Sequence, residues 1–196
     1  IKGDIDNMKP MVDKLKTINN KGLLKTFFPL PDELENSTYP TRDLPKEKSE
    51  ELIKKYGFNN WYDWSHYNYG TKWSDSETEI SKDSDTELSG YFDTPWCSPE
   101  NGIRYLSRRF NDTTFEVDYF EGGMDFMGSY KYHNGFLVHD IEISNMVDEV
   151  REHFNLPEDS DDEYYESDEW FDSQWDMQIE TLENIKNKIK SKGKTS

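Results

Sequence analysis

The sequence predicts an α+β protein, an antiparallel sheet packed with helices and followed by a further C-terminal helix. Three observations predict it. Residues 113–143 alternate apolar and polar side chains around two tight-turn signals, Gly122-Gly123 and His133-Asn134-Gly135, as consecutive strands of a meander do. Apolar stripes of helical period, with cap and stop residues, lie before and after that stretch. The chain has 196 residues, enough for one domain with appendages, because domains cluster near about 100–150 residues.

The elements follow in order. Asp6 caps a first helix whose stripe is Met8, Val12 and Leu15, with Met11 and Ile18 beside it, and Pro10 falls near the first turn. Asn19-Asn20-Lys21-Gly22 stops it. Phe27-Phe28-Pro29-Leu30-Pro31 reads as extended, since a residue before proline is pushed out of the helical region. After a polar loop with Pro40 and Pro45, a helix opening near Ser49 gathers Leu52, Ile53 and Tyr56 and ends at Gly57. Trp61 to Trp73 is dense in rings: seven of its thirteen residues are aromatic or His. Residues 71–81 and 87–94 read as a hairpin around Lys82-Asp83-Ser84-Asp85.

The clearest helix start is Cys97-Ser98-Pro99-Glu100, with Ser98 as cap, Pro99 at the first helical position and an acid in the first turn. Its buried face is Ile103, Leu106 and Phe110. In the meander Phe115, Val117 and Tyr119 alternate with polar neighbours, Met124, Phe126, Tyr130 and Tyr132 follow, and residues 136–143 close it. Ser144 caps one more helix with Met146, Val147, Val150 and Phe154 on one face. Residues 158–176 hold ten acidic and no basic residues. The last segment, through Lys192, is amphipathic, with Phe171, Trp175, Leu182, Ile185 and Ile189 on one side and lysines at its end. These readings divide the chain into a domain over 1–156, an acidic aromatic tract over 157–176 and a terminal helix over 177–196.

Lys and Arg number 23 against 41 Asp and Glu, a net charge of −18. Residues 1–57 carry 11 basic and 10 acidic residues, and 58–196 carry 12 and 31. Such a body repels phosphate backbones and steers towards basic surfaces, which argues against direct nucleic-acid binding. The acidity could equally serve solubility alone. No apolar run approaches the about 18–20 residues needed to cross a bilayer. Cys97 is the single cysteine, so no intramolecular disulfide can form, which suits a reducing, intracellular compartment.

Several motifs resemble a known family. Trp61-Tyr62-Asp63-Trp64, Tyr69-Gly70-Thr71-Lys72-Trp73, Thr94-Pro95-Trp96-Cys97-Ser98-Pro99 before a helix, and later Gly128 and Asn134-Gly135 are similar to the pattern of the YubB ferredoxin-like domain of bacteriophage and conjugative-plasmid proteins. Tyr69 stands where that pattern has Trp, and Cys97-Ser98-Pro99 where it has Ser-Pro-Pro. The resemblance covers roughly residues 1–143. It implies a ferredoxin-like antiparallel sheet with helices on one face, a first strand that would immediately precede Gly3 and is expected upstream of Ile1, and a mobile-element protein in the cytoplasm of a bacterial host. It supplies no catalytic residues.

Three candidate sites emerge. The aromatic stretch offers Trp61, Trp64, His66, Lys72 and Trp73 to a small ligand, with His66 near Asp63 as a possible proton-carrying pair. Against this, Trp61, Trp64, Trp73 and Trp96 read first as core, their rings covering area and their N–H groups tying loops. A base-stacking platform needs phosphate-neutralising charge that Lys72 alone does not provide. The acidic tract, Asp161, Asp162, Glu163, Tyr164, Tyr165, Glu166, Asp168, Glu169 and Trp170, offers carboxylates for a partner's Lys and Arg and rings as anchors. Its rings could instead cover their own sheet.

No metal site is expected. His133, His139 and His153 show no ligand spacing, and Asp159-x-Asp161-x-Glu163 has Tyr164 where a calcium loop needs Gly. No motif calls for a cofactor and no reaction is legible. The favoured reading is an acidic interaction protein that binds a basic host protein, for instance inhibiting a defence or nucleic-acid-binding protein by charge mimicry. The alternatives are a nucleotide sensor or enzyme built on residues 61–73, and a virion or assembly protein self-associating through the terminal helix.

Overall fold

A computed structural model describes residues 1–15, 22–157 and 167–192. The chain divides into two compact units, Ile1–Glu116 with Lys131–Val138, and Val117–Tyr130 with His139–Ser196.

The first unit opens with β1 (Lys2–Gly3) and α1 (Ile5–Leu15). Four short helices follow: α2 (Leu23–Phe27), α3 (Asp32–Glu35), α4 (Lys46–Tyr56) and α5 (Trp61–Asn68). Then come the hairpin β2 (Ser76–Lys82) and β3 (Leu88–Asp93), and α6 (Glu100–Arg109). The meander β4 (Thr113–Glu121), β5 (Phe126–His133) and β6 (Phe136–Ile143) contributes residues to both units, and α7 (Met146–Phe154) and α8 (Asp168–Lys192) belong to the second. Strand, helix, hairpin, helix, strand is the ferredoxin-like order, here with α2 to α5 inserted before the hairpin.

The larger sheet runs β1-β4-β5-β6, and β2-β3 form a second one. Lys2 and Gly3 pair antiparallel with Thr114 and Thr113. On the other edge of β1, Lys2 bridges Glu87, the Gly3 amide donates to Thr86 O at 3.0 Å and the Leu88 amide to Ile1 O at 2.9 Å. In the hairpin, Glu79 lies opposite Tyr91 and Ser76 opposite Asp93, a shift of one residue that Glu77 absorbs at φ 45°.

Local chemistry moves several boundaries away from the sequence reading. Asp4, not Asp6, caps α1, its carboxylate accepting from the Asp6 amide at 3.0 Å. Pro10 therefore stands inside the helix rather than in its first turn. Phe27 is helical, and the extended segment begins after Phe28. Ile53 is exposed while Leu52 is buried, so α4 turns a narrower stripe inward than expected. Pro99, rather than Ser98, holds the cap position of α6. Ile18 and the Asn19-Asn20-Lys21 stop lie outside the described residues.

The core of the first unit gathers Met8, Met11, Leu24, Leu34, Leu52, Trp64, Tyr69, Ile103, Leu106 and Phe115. Gly102 sets the distance between α2 and α6, because a Cβ there would fall 2.7 Å from Leu24 Cδ2. The second unit has its own core of Met127, Met146, Val150, Met177 and Leu182. α7 begins not with a Ser144 cap but with Asp125, which accepts from the Met146 amide through its carbonyl and from the Val147 amide through its carboxylate at 2.8 Å. α8 starts at Asp168, so the latter part of the acidic tract is helix and not linker.

Candidate functional site

The ring-rich stretch folds into α5 and the loop behind it. Asn60 starts the helix: its side-chain oxygen accepts from the Asp63 amide at 2.8 Å and its amide donates to the Asp63 carboxylate at 2.7 Å. Asp63 is thus a capping group, its carboxylate engaged with the Asn60 side chain. His66 is exposed, its ring 4.3 Å from that of Tyr62.

Two rings of the stretch are interior. Trp64 and Tyr69 are buried and meet Phe28, which stacks on Tyr105 at 3.7 Å. The Tyr69 hydroxyl donates to Phe28 O at 2.8 Å. Burial pushes its pKa up beyond the ordinary tyrosine range. The folded form therefore holds this proton more tightly than the unfolded chain. Its contribution is complete below about pH 10 and lost as the pH rises further. Denaturant titrations at increasing alkaline pH check this. Tyr69→Phe is expected to lose about 1 kcal/mol at neutral pH with its hydrogen bond, and to show a flatter decline above about pH 10 than the wild type.

The core reading of all four tryptophans does not hold. Trp61 is half-buried, its amide donating to Ser37 Oγ at 2.9 Å. Trp73 is 46% exposed and Trp96 66%. The Lys72 ammonium lies 5.2 Å from the Trp73 ring centroid, which brings together two of the five ligand candidates. The loops carrying Trp73 and Trp96 are tied together. Cys97 Sγ donates to Gly70 O at 3.2 Å, Asn101 Nδ2 to Tyr67 O at 3.0 Å and the Gly102 amide to Tyr69 O at 3.1 Å. Burial raises the Cys97 pKa, which keeps it a thiol and disfavours a nucleophilic role.

Trp96 is the residue of this face that sequence reasoning misread most. Its φ is 67°, and the Cys97 amide donates across it to Pro95 O at 2.9 Å. That is a γ-turn of the strained, positive-φ kind. Thr94 Oγ1 holds it by donating to Cys97 O at 2.8 Å. An exposed indole gains little for folding from such a conformation, which costs about 1–3 kcal/mol. Trp96→Gly is expected to leave stability unchanged or to raise it by about 1 kcal/mol, measured by urea denaturation. A loss of more than about 1 kcal/mol would show that the ring supports the fold.

The feature that organises this part of the protein is Asp75, which no motif announced. It is 5% exposed and its carboxylate accepts from the Leu23 amide, from the Leu24 amide at 2.8 Å and from Thr78 Oγ1 at 2.7 Å. Asp75 is the cap of α2, supplied from 52 and 51 residues downstream of the two amides it accepts from.

The second candidate is the acidic region. Asp161, Asp162, Glu163, Tyr164, Tyr165 and Glu166 lie outside the described residues. Asp168 is exposed in the first turn of α8, which also includes Glu169. Trp170, read as a partner anchor, packs instead against its own core. The charge is unevenly shared. The second unit spans 20 acidic and 6 basic residues, net −14, and the first 21 and 17, net −4. One lysine of α8 faces inward: Lys186 is 4% exposed, donating to both Asp118 oxygens at 3.0 and 3.1 Å and to Glu183 at 3.0 Å.

The histidines are dispersed, His133 on Thr114, His139 on Ser129 and His153 on Asn184. Among the described residues no three metal-binding side chains converge, and no helix is long and apolar enough to cross a membrane.

Residues 69–164 match the family model described as "Ferredoxin-like domain in Api92-like protein". That match includes α7, which the sequence reading left outside the resemblance. The chain is 43% identical over 79 residues to the "Uncharacterized protein YubB" of Escherichia coli (strain K12), a segment covering 39% of this chain and 54% of that protein. The chain thus spans about half the length of the curated relative it matches. No solved structure matches it. The fold is ferredoxin-like α+β, with α8 as a C-terminal helix.

Proposed function

We propose that the protein is an interaction module whose acidic second unit binds a basic protein. The observation that carries this is the partition of charge, net −14 on one unit against −4 on the other. Acidity needed only for solubility has no reason to concentrate. A concentrated negative potential raises the association rate with cationic surfaces and rejects polyanions. The resemblance of the sequence motifs to a family of mobile-element proteins supports a partner in a bacterial host cell, and a nuclease or other nucleic-acid-binding protein fits the chemistry, since its phosphate-binding surface is basic.

Immobilised protein incubated with bacterial lysate at low and then high salt tests the reading. A cationic protein retained at about 50 mM salt and released at about 500 mM is expected, because the Debye length shrinks to a few ångströms. Retention that ignores salt, or none at low salt, refutes it.

The exposed Trp73 and Trp96 favour a second reading, a small planar ligand on the first unit. A nucleotide panel that leaves thermal stability unmoved would dismiss it, because a ligand at about 100 times its Kd adds about 2.7 kcal/mol.

A further inference from the structure

β6 is an outer strand of the larger sheet, with β5 as its single neighbour there. Its first three residues, Phe136, Leu137 and Val138, are 77%, 50% and 59% exposed and belong to the first unit. Among the described residues their backbone makes no hydrogen bond beyond that neighbour. Successive side chains of a strand point to opposite sides, so the open edge is apolar on both. Outer strands are ordinarily guarded against pairing by charge or proline. Here the guard is confined to the later half, where Asp140 and Glu142 are exposed.

The start of the strand has the opposite charge. α6 lies against the turn before Phe136: the Gly135 amide donates to Ser107 Oγ at 2.9 Å, and Arg104 Nε donates to Gly135 O at 3.4 Å. Arg108 crosses the same glycine so closely that a Cβ there would fall 2.1 Å from Arg108 Cγ. Arg104 and Arg108 are exposed, and among the described residues neither has a carboxylate partner. In a chain with 41 acidic residues against 23 basic ones, such a pair of open cations marks a place kept for carboxylates from outside.

Two copies of this strand complement each other when they run antiparallel about a two-fold axis at Leu137. Residues directly opposite share a side of the sheet, so Phe136 meets Val138 of the copy and Leu137 meets its own counterpart. Gly135, with Arg104 and Arg108 on it, then falls opposite His139 and next to Asp140 of the copy. Other centres are worse. An axis at His139 sets Val138 against Asp140 and Phe136 against Glu142, and one at Ile141 sets Asp140 against Glu142, like charges that repel. The apolar triplet and the charges around it therefore select one register.

We infer that the first half of β6 is a self-association edge, through which two copies of the chain pair antiparallel about Leu137 into one continuous sheet. The contact is isologous and uses the first unit, net −4, where repulsion between copies is weaker than at the second. It is independent of the basic partner proposed for the second unit, so the lysate experiment does not judge it.

Sedimentation equilibrium of the full chain tests this. A contact so short belongs to the weak class, so monomer at about 1 μM and dimer at about 1 mM are expected. Leu137→Lys sets two ammonium groups against each other on the axis and is expected to weaken the dimer by about 10-fold or more. Val138→Lys, at a more exposed position, is expected to weaken it about 5-fold, so that a folding defect in the first variant does not decide the outcome. The control Ile53→Lys, at a 48% exposed position of α4, is expected to stay within about twofold. The variants R104E/R108E and D140K/E142K are each expected to lose about 10-fold in self-association, and their mixture to form a heterodimer of wild-type strength.

A chain still monomeric at about 1 mM overturns the inference and leaves the edge to a strand of another protein. A dimer that both lysine variants leave intact overturns it by moving the contact elsewhere. Equal loss in Ile53→Lys shows unspecific association and overturns it as well, and a mixture of the two charge variants that stays monomeric overturns the register.

Discussion

Replacing Asp75 with Ala is expected to lower the free energy of unfolding by about 3 kcal/mol, the largest single-residue effect outside the hydrophobic core. The change strands two backbone donors at the start of α2, Leu23 and Leu24, both on buried residues. Each unsatisfied buried donor costs about 1–3 kcal/mol, and hydrogen bonds to a carboxylate are the stronger kind. Asp75→Asn separates charge from shape. It keeps one acceptor oxygen but turns an NH2 group towards an amide that needs an acceptor, so a loss of about 2 kcal/mol is expected. Urea denaturation of the three proteins measures this. An Asn variant as stable as wild type would mean that a single acceptor suffices.

Lys186→Ala is expected to cost about 2 kcal/mol, and Lys186→Met less than about 1 kcal/mol. The ammonium of this 4% exposed lysine joins Asp118 on β4 to Glu183 on its own helix. Asp118 is 37% exposed and Glu183 50%, so water screens part of the attraction and replaces it when the lysine is lost. What Ala cannot replace is the buried aliphatic stem. Denaturant midpoints of the two variants measure the difference. Equal losses would show that the ion pair, rather than the stem, dominates.

The sequence disclosed its regular elements because each carries a local signature. Asn134 and Gly135, at φ 52° and 76°, make the hairpin turn that their side chains favour, and Gly57 ends α4 in the left-handed conformation that its missing Cβ permits. The caps were less legible where they come from far away. Asp75 serves α2 and Asp125 serves α7, and no spacing rule links a helix to a residue that folding alone brings near.

The site was the least legible. Indoles signal large area but not which side of a loop they take. A γ-turn at Trp96 and an outward side chain at Trp73 reverse the natural expectation that such rings are interior. The acidity was visible in composition, yet its concentration in one unit depends on where the chain is partitioned. The sequence set Trp175 on the apolar side of the terminal helix and Trp170 among the partner anchors, whereas Trp170 packs on the core and Trp175 is the more exposed of the two. Only the packing of Trp170 on Met127 and its neighbours tells a core ring from an open one.

The crowding of carboxylates in the second unit bears on its own folding. Like charges held within a small volume push against the packed faces of α7 and α8, and dissolved ions relieve that pressure. Salt therefore works in opposite directions here, loosening the grip on a cationic neighbour while firming the unit that does the gripping. The dilute buffers in which a partner is easiest to catch are therefore those in which this unit has its lowest free energy of unfolding, and urea denaturation at the two salt concentrations measures the difference.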